Sequence, residues 1–273
     1  MSFNRRLRSV QRKTKSLLCI GLDTDTARIP AFLRTRRDPV AEFNRRIIDA
    51  TADLVCAYKF NLAFYESAGS RGLAALHAAL EKIPAGTLTI GDGKRGDIGN
   101  TAEMYAKALF GDFAFTACTV NPYMGGDSVE PFLRDGTRGV FILAVTSNPG
   151  ARDFQYLPVR GRPLYERVIR RARIWNTSDN CGLVVGATRP AQIKRARALA
   201  PDLPFLIPGI GAQGGDLRAA VRYGCDRDGY LAVINASRSI LYASGDRDFA
   251  TAARAAALTL RDTINRYRET YFP

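Results

Sequence analysis

The chain has 273 residues, of which 46% are hydrophobic and 24% are charged, and its formal net charge is +14. This composition is ordinary for a globular protein, and no apolar run approaches the roughly 20 residues that a membrane-spanning helix needs. A single histidine, His77, lies in an alanine-rich helical pattern, which excludes Ser-His-Asp hydrolysis and zinc sites built from several histidines.

The N-terminal segment, at about residues 1–15, is strongly basic and contains no acidic residue. Transit peptides share this property, but a helix leading into the apolar run at 17–20 is the simpler interpretation. The segment has no apolar signal core, so secretion is not predicted. The five cysteines are scattered, with no Cys-x-x-Cys pair, which indicates a reducing, cytoplasmic compartment and no metal cluster.

Short apolar runs alternate with amphipathic stretches along the whole chain. The runs predict strands at 17–22, 54–60, 87–91, 113–120, 139–145, 181–185, 204–207 and 231–234. The amphipathic stretches predict helices at 40–50, 73–82, 102–109, 163–175, 191–200, 217–223 and 249–267.

Repetition of the strand-helix unit sets the expected architecture. Eight units of about 34 residues each predict an α/β protein, a (β/α)8 TIM barrel that forms a single domain over residues 1–273. A doubly wound open sheet is the alternative fold. It would usually carry a glycine-rich dinucleotide turn after an early strand, and the first strand here ends in Gly-Leu-Asp-Thr-Asp instead.

Two connections exceed the usual few residues, at 24–39 and 147–162. The second follows the fifth strand and is a candidate active-site lid, with an uneventful surface loop as the alternative.

The net charge leaves a nucleic-acid-binding protein as an alternative class. The excess is mostly arginine spread over helical segments such as 167–173, without a platform of alternating aromatic and basic residues. A solvated basic surface that attracts an anionic substrate is therefore favoured, and no nucleic-acid or membrane partner is expected.

Polar side chains follow the predicted strands where function is expected in such a barrel, at the carboxyl ends. Asp92 and Lys94 are two apart and share a face if their run is a strand, and Asp97 follows closely. Crowded charges shift one another's pKa values and cost stability unless something uses them. A solvated turn rich in glycine and charge is the alternative interpretation.

The segments after the seventh and eighth strands predict a phosphate site, because barrels of this kind often bind phosphate there. Glycines let backbone N–H groups approach an anion, and a guanidinium binds phosphate oxygens in a fork. Gly209, Gly211, Gln213 and Arg238 fit this description. The alternative interpretation of these segments is a pair of tight turns with a capping arginine. For Lys59, near the end of the second predicted strand, the alternative is a lysine whose side chain only passes the barrel rim.

Residues 92–101 match the pattern D-x-K-x-x-D-I-x-x-T without a departure. Together with the supporting segments 21–23, 58–61, 147–150, 208–215 and 237–239, this motif makes the chain resemble the orotidine 5′-monophosphate (OMP) decarboxylase family, in particular its longer bacterial subgroup. The resemblance spans nearly the whole chain.

This resemblance implies decarboxylation of OMP to uridine 5′-monophosphate (UMP) and CO₂ without metal or organic cofactor, the last step of UMP biosynthesis. Lys94 would donate a proton to C6 of the pyrimidine, within a charged array of Lys59, Asp92, Lys94 and Asp97. Asp97 and Thr101 would reach into the neighbouring subunit's site, which implies a homodimer with shared active sites.

The same resemblance implies the substrate contacts. Asp23 and Lys59 would bind ribose hydroxyls, Ser147 the edge of the pyrimidine, and Gln213 with Arg238 the phosphate.

Two other enzyme classes share part of this pattern. The magnesium-dependent sugar-phosphate branch of the superfamily has an acidic metal ligand at the end of the second strand, where Lys59 would repel Mg²⁺. An aldolase that forms a Schiff base through Lys94 or Lys59 needs a neutral amine, which neighbouring carboxylates disfavour.

Overall fold

A computed structural model describes residues 1–211 and 214–273. The strands are β1 (Leu18–Gly21), β2 (Ala57–Asn61), β3 (Leu88–Arg95), β4 (Ala117–Val120), β5 (Gly139–Val145), β6 (Pro158–Val159), β7 (Arg162–Pro163), β8 (Cys181–Val185), β9 (Phe205–Pro208) and β10 (Ala232–Ala236).

The helices are α1 (Phe3–Thr14), α2 (Ala31–Arg34), α3 (Pro39–Thr51), α4 (Leu62–Glu66), α5 (Gly69–Lys82), α6 (Gly99–Lys107), α7 (Gly126–Leu133), α8 (Ala151–Phe154), α9 (Leu164–Trp175), α10 (Pro190–Leu199), α11 (Leu217–Gly224), α12 (Arg238–Leu241) and α13 (Phe249–Tyr271).

Eight parallel strands close into a barrel in the order β1-β2-β3-β4-β5-β8-β9-β10, and β10 pairs with β1 to complete the ring. The short strands β6 and β7 form an antiparallel hairpin outside it. The predicted (β/α)8 barrel is confirmed, and the open sheet is excluded by the β1–β10 pairing. Because all eight strands run in the same direction, their carboxyl ends meet at one rim.

The N-terminal end of the barrel is closed by α1, which begins the chain as predicted. Phe3 and Leu7 are fully buried, and the Phe3 ring meets Phe141 edge-on at 6.0 Å between centroids. The Gln11 side chain donates to the carbonyl of Ala232 at 2.8 Å and accepts from the N–H of Leu231 at 2.9 Å. The apolar face of this basic segment therefore seals the interior, while two of its four arginines, Arg5 and Arg12, remain exposed.

Two elements show the largest differences from the sequence-based expectations. The strand expected from 113 begins only at Ala117, because a π-helical turn at Ala108–Asp112 precedes it and Phe115 is buried outside the sheet. Helix α7 was not predicted, since it starts at a glycine pair and contains Pro131. Burial of Val129 and Phe132 outweighs these helix-breaking residues.

Several smaller expectations concern loops and single residues. The long connection after β1 contains α2, and the connection after β5 contains α8 and the β6–β7 hairpin; its role as a lid stays a prediction. His77 lies on α5 with its side chain 44% exposed. All five cysteines are buried and free. Among the helices of the described ranges, none is both long and apolar enough to cross a membrane.

Candidate active site

A cavity of about 600 Å³ opens at the carboxyl ends of the barrel strands. It collects side chains from elements far apart in sequence, from the loop after β1 to α12. Six of the predicted site residues line it: Asp23, Lys59, Asp92, Lys94, Ser147 and Arg238. Gln213 lies outside the described residues.

Four charged side chains, from β2, β3 and the loop directly after β1, form a continuous chain of contacts on this cavity. Lys59 Nζ lies 3.0 Å from Asp23 Oδ1 and 3.1 Å from Asp92 Oδ2. The other oxygen of Asp92, Oδ1, accepts from Lys94 Nζ at 2.8 Å. Lys59 is 3% exposed at its side chain, whereas Lys94 is 42% exposed. Both ammonium groups line the cavity, and Lys94 is the more accessible of the two to a bound molecule.

The backbone of β3 places Lys94 in an unusual way. The pairing of β3 with β4 shifts register between Gly91 and Arg95, and Lys94 has a φ of 44°, in the left-handed region. Such a conformation costs about 1–3 kcal/mol at a non-glycine residue and often marks a functional site. The side chains of Asp92 and Lys94 therefore meet through this bulge and not through the simple alternation of a regular strand.

Thr119, on β4, holds the bulge in place. Its hydroxyl donates to Asp92 Oδ1 at 2.8 Å and accepts from the backbone N–H of Lys94 at 2.9 Å. One buried hydroxyl thus fixes both the carboxylate and the backbone of the lysine beside it.

Burial and charge oppose each other in this cluster, and charge prevails. Burial alone would lower the pKa of the Lys59 ammonium, but Asp23 and Asp92 outweigh burial and raise the pKa. Burial alone would raise the pKa of the Asp92 carboxyl, but Lys59 and Lys94 hold it well below its usual range. Lys59 and Asp92 therefore both stay charged at neutral pH.

Asp23 is oriented from several sides. Its Oδ1 accepts from Lys59 and from the backbone N–H of Asn61 at 3.2 Å, and its Oδ2 accepts from Ser237 Oγ at 2.9 Å. With its side chain 18% exposed, the carboxylate keeps a face toward the cavity. It can accept hydrogen bonds from hydroxyl groups of a bound molecule.

The wall near the end of β5 combines apolar and polar groups. Leu143, Val184 and Leu206 line it, and Ser147 lies beside Gly186, where an added Cβ would come within 2.2 Å of the Ser147 hydroxyl. A flat ring can pack against the apolar side chains while Ser147 meets a polar edge. A side chain at position 186 would therefore force the Ser147 hydroxyl to move.

The wall near β9 and β10 has anion-binding character. Gly209 lies on the cavity with a φ of 102°, which leaves its backbone open to a close approach. Arg238 begins α12 on the same side and is exposed. Gly209 and Arg238 therefore lie where the sequence predicts the phosphate to bind. Gln213, the other side chain predicted to bind it, is outside the described residues.

Asp97 and Thr101 do not line the cavity of their own chain in the described structure. Asp97 follows β3, and its carboxylate accepts from the N–H of Ile98 at 2.8 Å. Their assignment to a neighbouring subunit's site stays a prediction.

Sequence reasoning gave no role to several residues of the site. Thr119 lies inside an apolar run, and the sequence indicates Ser237 only as part of the motif at 237–239. Tyr242 and Arg28 also line the cavity, as does Asn235, whose buried Oδ1 has no hydrogen-bond partner in the described residues. Of these residues, only Ser237 and Asn235 carry a signal in the sequence, because they lie at the end of a predicted strand. Within residues 1–211 and 214–273, no three His, Cys, Asp or Glu side chains are grouped as metal ligands.

Comparison with known proteins gives a consistent result. The profile of the orotidine 5′-phosphate decarboxylase / HUMPS family matches residues 16–255. Orotidine 5′-phosphate decarboxylases from Azoarcus sp. (strain BH72) and Dehalococcoides mccartyi (strain BAV1) are 53% and 48% identical over 98% and 99% of this chain, and each is covered in full. The structure of Leishmania donovani OMP decarboxylase superimposes with a TM-score of 0.86 and 41% identity, over 98% of this chain and 99% of its own.

Proposed function

The chain belongs to the orotidine 5′-phosphate decarboxylase / HUMPS family, and we propose that it converts OMP to UMP and CO₂ without a metal ion or organic cofactor. Its similarity to full-length decarboxylases supports this activity. The single observation that carries the mechanism is the contact chain Lys94–Asp92–Lys59–Asp23 on the cavity.

In the proposed reaction, the bond between C6 and the carboxyl carbon breaks, and CO₂ leaves. The electron pair stays at C6 in an in-plane orbital that the ring cannot delocalise. A fixed positive charge near C6 stabilises this pair as it develops, because a preorganised charge needs no rearrangement during the reaction. Lys94 supplies that charge and then transfers a proton from Nζ to C6, which yields UMP.

Asp92 has two functions in this scheme. At 2.8 Å from Lys94 Nζ, its carboxylate accepts a hydrogen bond from the lysine, balances its positive charge and fixes its direction. Lys59 and Thr119 hold Asp92 in turn, so the reacting lysine is supported by groups that are themselves buried.

The other walls accommodate the rest of the substrate. Asp23 and Lys59 bind the ribose hydroxyls, Ser147 binds the pyrimidine edge, and Arg238 with Gln213 binds the phosphate. Binding the phosphate far from C6 supplies free energy that holds the base against Lys94.

Lys59 separates this proposal from the sugar-phosphate branch of the family. That branch needs an acidic magnesium ligand at the end of the second strand. Here β2 carries a buried ammonium at this position, between Asp23 and Asp92, and it would repel a divalent cation.

The proposal is tested by following the ultraviolet absorbance of OMP with purified protein in the presence of EDTA. We expect the orotate absorbance to disappear at the same rate with and without the chelator. If folded wild-type protein leaves OMP unchanged, the decarboxylase proposal is wrong, and a sugar phosphate with Mg²⁺ becomes the next substrate to try.

We also propose that two copies of the chain form a homodimer in which Asp97 and Thr101 complete the partner's cavity. Large apolar side chains are exposed close to these residues: Ile98 and Met104 around α6, and Tyr123 after β4. Exposed apolar groups clustered in this way are typical of an interface.

Mixing two inactive variants tests the shared site. Lys94→Ala and Asp97→Asn are expected to be inactive alone, but subunit exchange creates heterodimers with one intact site. Random exchange should restore about a quarter of the wild-type activity, since half of the dimers are mixed and each has one complete site. Activity that does not rise on mixing, although exchange is verified, would mean that Asp97 serves its own chain.

A further inference from the structure

The charges around the cavity are unevenly partnered. Three carboxylates and four cations line it: Asp23, Asp25, Asp92, Arg28, Lys59, Lys94 and Arg238. Lys59 and Lys94 both contact carboxylates. In the described part of the chain, no carboxylate oxygen lies within 4.0 Å of the guanidinium of Arg28 or Arg238, whereas ion pairs of that length join many other arginines. Two guanidinium groups are therefore available to an anion.

Arg28 is exposed, but the structure holds it. Its guanidinium carbon lies 4.1 Å from the centre of the Tyr242 ring, the geometry of a cation–π contact. The Tyr242 hydroxyl accepts from the backbone N–H of Asp25 at 2.8 Å. The carbonyl of Asp25 accepts from the N–H of Arg28 at 2.9 Å, so the tyrosine fixes both the turn and the side chain that follows it.

One short helix connects Arg28 to the predicted phosphate position. Arg238 is the first residue of α12, and Tyr242 directly follows its last residue, Leu241. The N–H of Tyr242 donates to the carbonyl of Arg238 at 3.2 Å, so the two residues are one helical turn apart, and both line the cavity. Because Arg28 stacks on Tyr242, its guanidinium is brought to the side of the cavity where Arg238 lies.

We propose that Arg28 is a second phosphate-binding arginine and that Tyr242 is the residue that positions it. This inference rests on the proposed function, since it assigns a further residue to the substrate of that reaction. The phosphate carries a charge of about −1.5 to −2 at pH 7, and two guanidinium groups from different loops neutralise it. Arg28 then discriminates phosphorylated substrate from the free nucleoside.

The test compares OMP with orotidine, which has the same base and sugar but no phosphate. Arg28→Gln should lower kcat/KM for OMP by about tenfold to 100-fold, the range for a lost hydrogen bond to a charged group, mainly through KM. For orotidine, measured at high enzyme concentration, kcat/KM should stay within about twofold of wild type, because no phosphate is present to lose the contact.

The chain offers a matched control for removing a stacked, exposed arginine. Arg247 lies over Phe32 at 5.3 Å, and it is not among the residues that line the cavity in the described structure. Arg247→Gln should leave kcat/KM unchanged for both OMP and orotidine. Arg28→Lys should recover part of the loss for OMP, since the positive charge returns without the fork.

Tyr242 is tested by two substitutions. Tyr242→Phe keeps the ring and should retain most of the discrimination against orotidine, whereas Tyr242→Leu should lose it as Arg28→Gln does.

Two results would overturn the role of Arg28: equal losses for OMP and orotidine, or no loss for either. Both results can be told apart from an error in the proposed function, because in that case the wild-type protein itself would not convert OMP.

Discussion

Replacing Lys94 with alanine should lower kcat/KM for OMP by about 10⁴-fold or more, because one side chain provides both the fixed charge and the proton. Loss of a preorganised electrostatic contact costs about 10²–10³-fold, and loss of a general acid costs about 10²–10⁴-fold. Fold stability should change little, since Lys94 is 42% exposed at its side chain. Steady-state ultraviolet kinetics and a thermal melt measure the two effects separately.

Lys82 is a close match for Lys94 in everything except location. Its side chain is also 42% exposed, and its ammonium lies 2.9 Å from Asp49, but it ends α5 on the outside of the barrel. Lys82→Ala should retain wild-type kinetics. A Lys94→Ala enzyme within about tenfold of wild type would rule out Lys94 as the proton donor, because tenfold is only 1.4 kcal/mol of barrier.

The second large effect is expected at Asp92. Asp92→Asn keeps the shape of the side chain but removes the negative charge between Lys59 and Lys94, so Lys94 loses the carboxylate that holds its ammonium group in place. We expect kcat to fall by about 10²–10³-fold. The free energy of unfolding should also fall, by about 1–3 kcal/mol, because Lys59 stays buried with only Asp23 as counter-ion.

Asp226 separates the catalytic effect from the structural one. It is as buried as Asp92 and pairs with Arg8 at the opposite end of the barrel. Asp226→Asn should lower stability but leave kcat unchanged. If Asp92→Asn lowered stability alone, its catalytic role would be contradicted.

Asp92 also predicts a pH effect on stability. Its carboxyl pKa is lower in the folded protein than the ordinary value near 4. The stabilisation it provides is therefore complete above about pH 4 and is lost as pH falls toward the lowered pKa. Wild type should lose more stability than Asp92→Asn during acidification below pH 4, as chemical denaturation at a series of pH values would show.

The alternation of apolar runs and amphipathic stretches predicted the barrel correctly, since each strand is buried on both faces. Strands β5 and β8 have the bounds predicted for them. Helix α7 could not be predicted in the same way. Its Gly125-Gly126 start and Pro131 are local signals against a helix, and only tertiary burial of Val129 and Phe132 overrides them.

The site follows a similar division. Asp23, Lys59, Asp92 and Lys94 could be predicted because polar residues directly after buried strands must collect at one rim. Thr119 could not, because a threonine within an apolar strand has no distinguishing local pattern. The bulge of β3 at Lys94 was also invisible, since it depends on pairing with β4. Arg28 and Tyr242 are 214 positions apart in the sequence, and closure of the barrel brings them into contact.

The sealing helix α1 has a consequence for how the molecule assembles. Its contacts through Gln11 and Arg8 are with residues 226–232, some 220 positions later in the chain. Helix α1 therefore cannot complete its contacts until β10 and the loop before it are in place. Contacts of such long sequence separation slow folding, because a long loop must close before they form. We therefore expect α1 and residues 226–232 to join the native structure together.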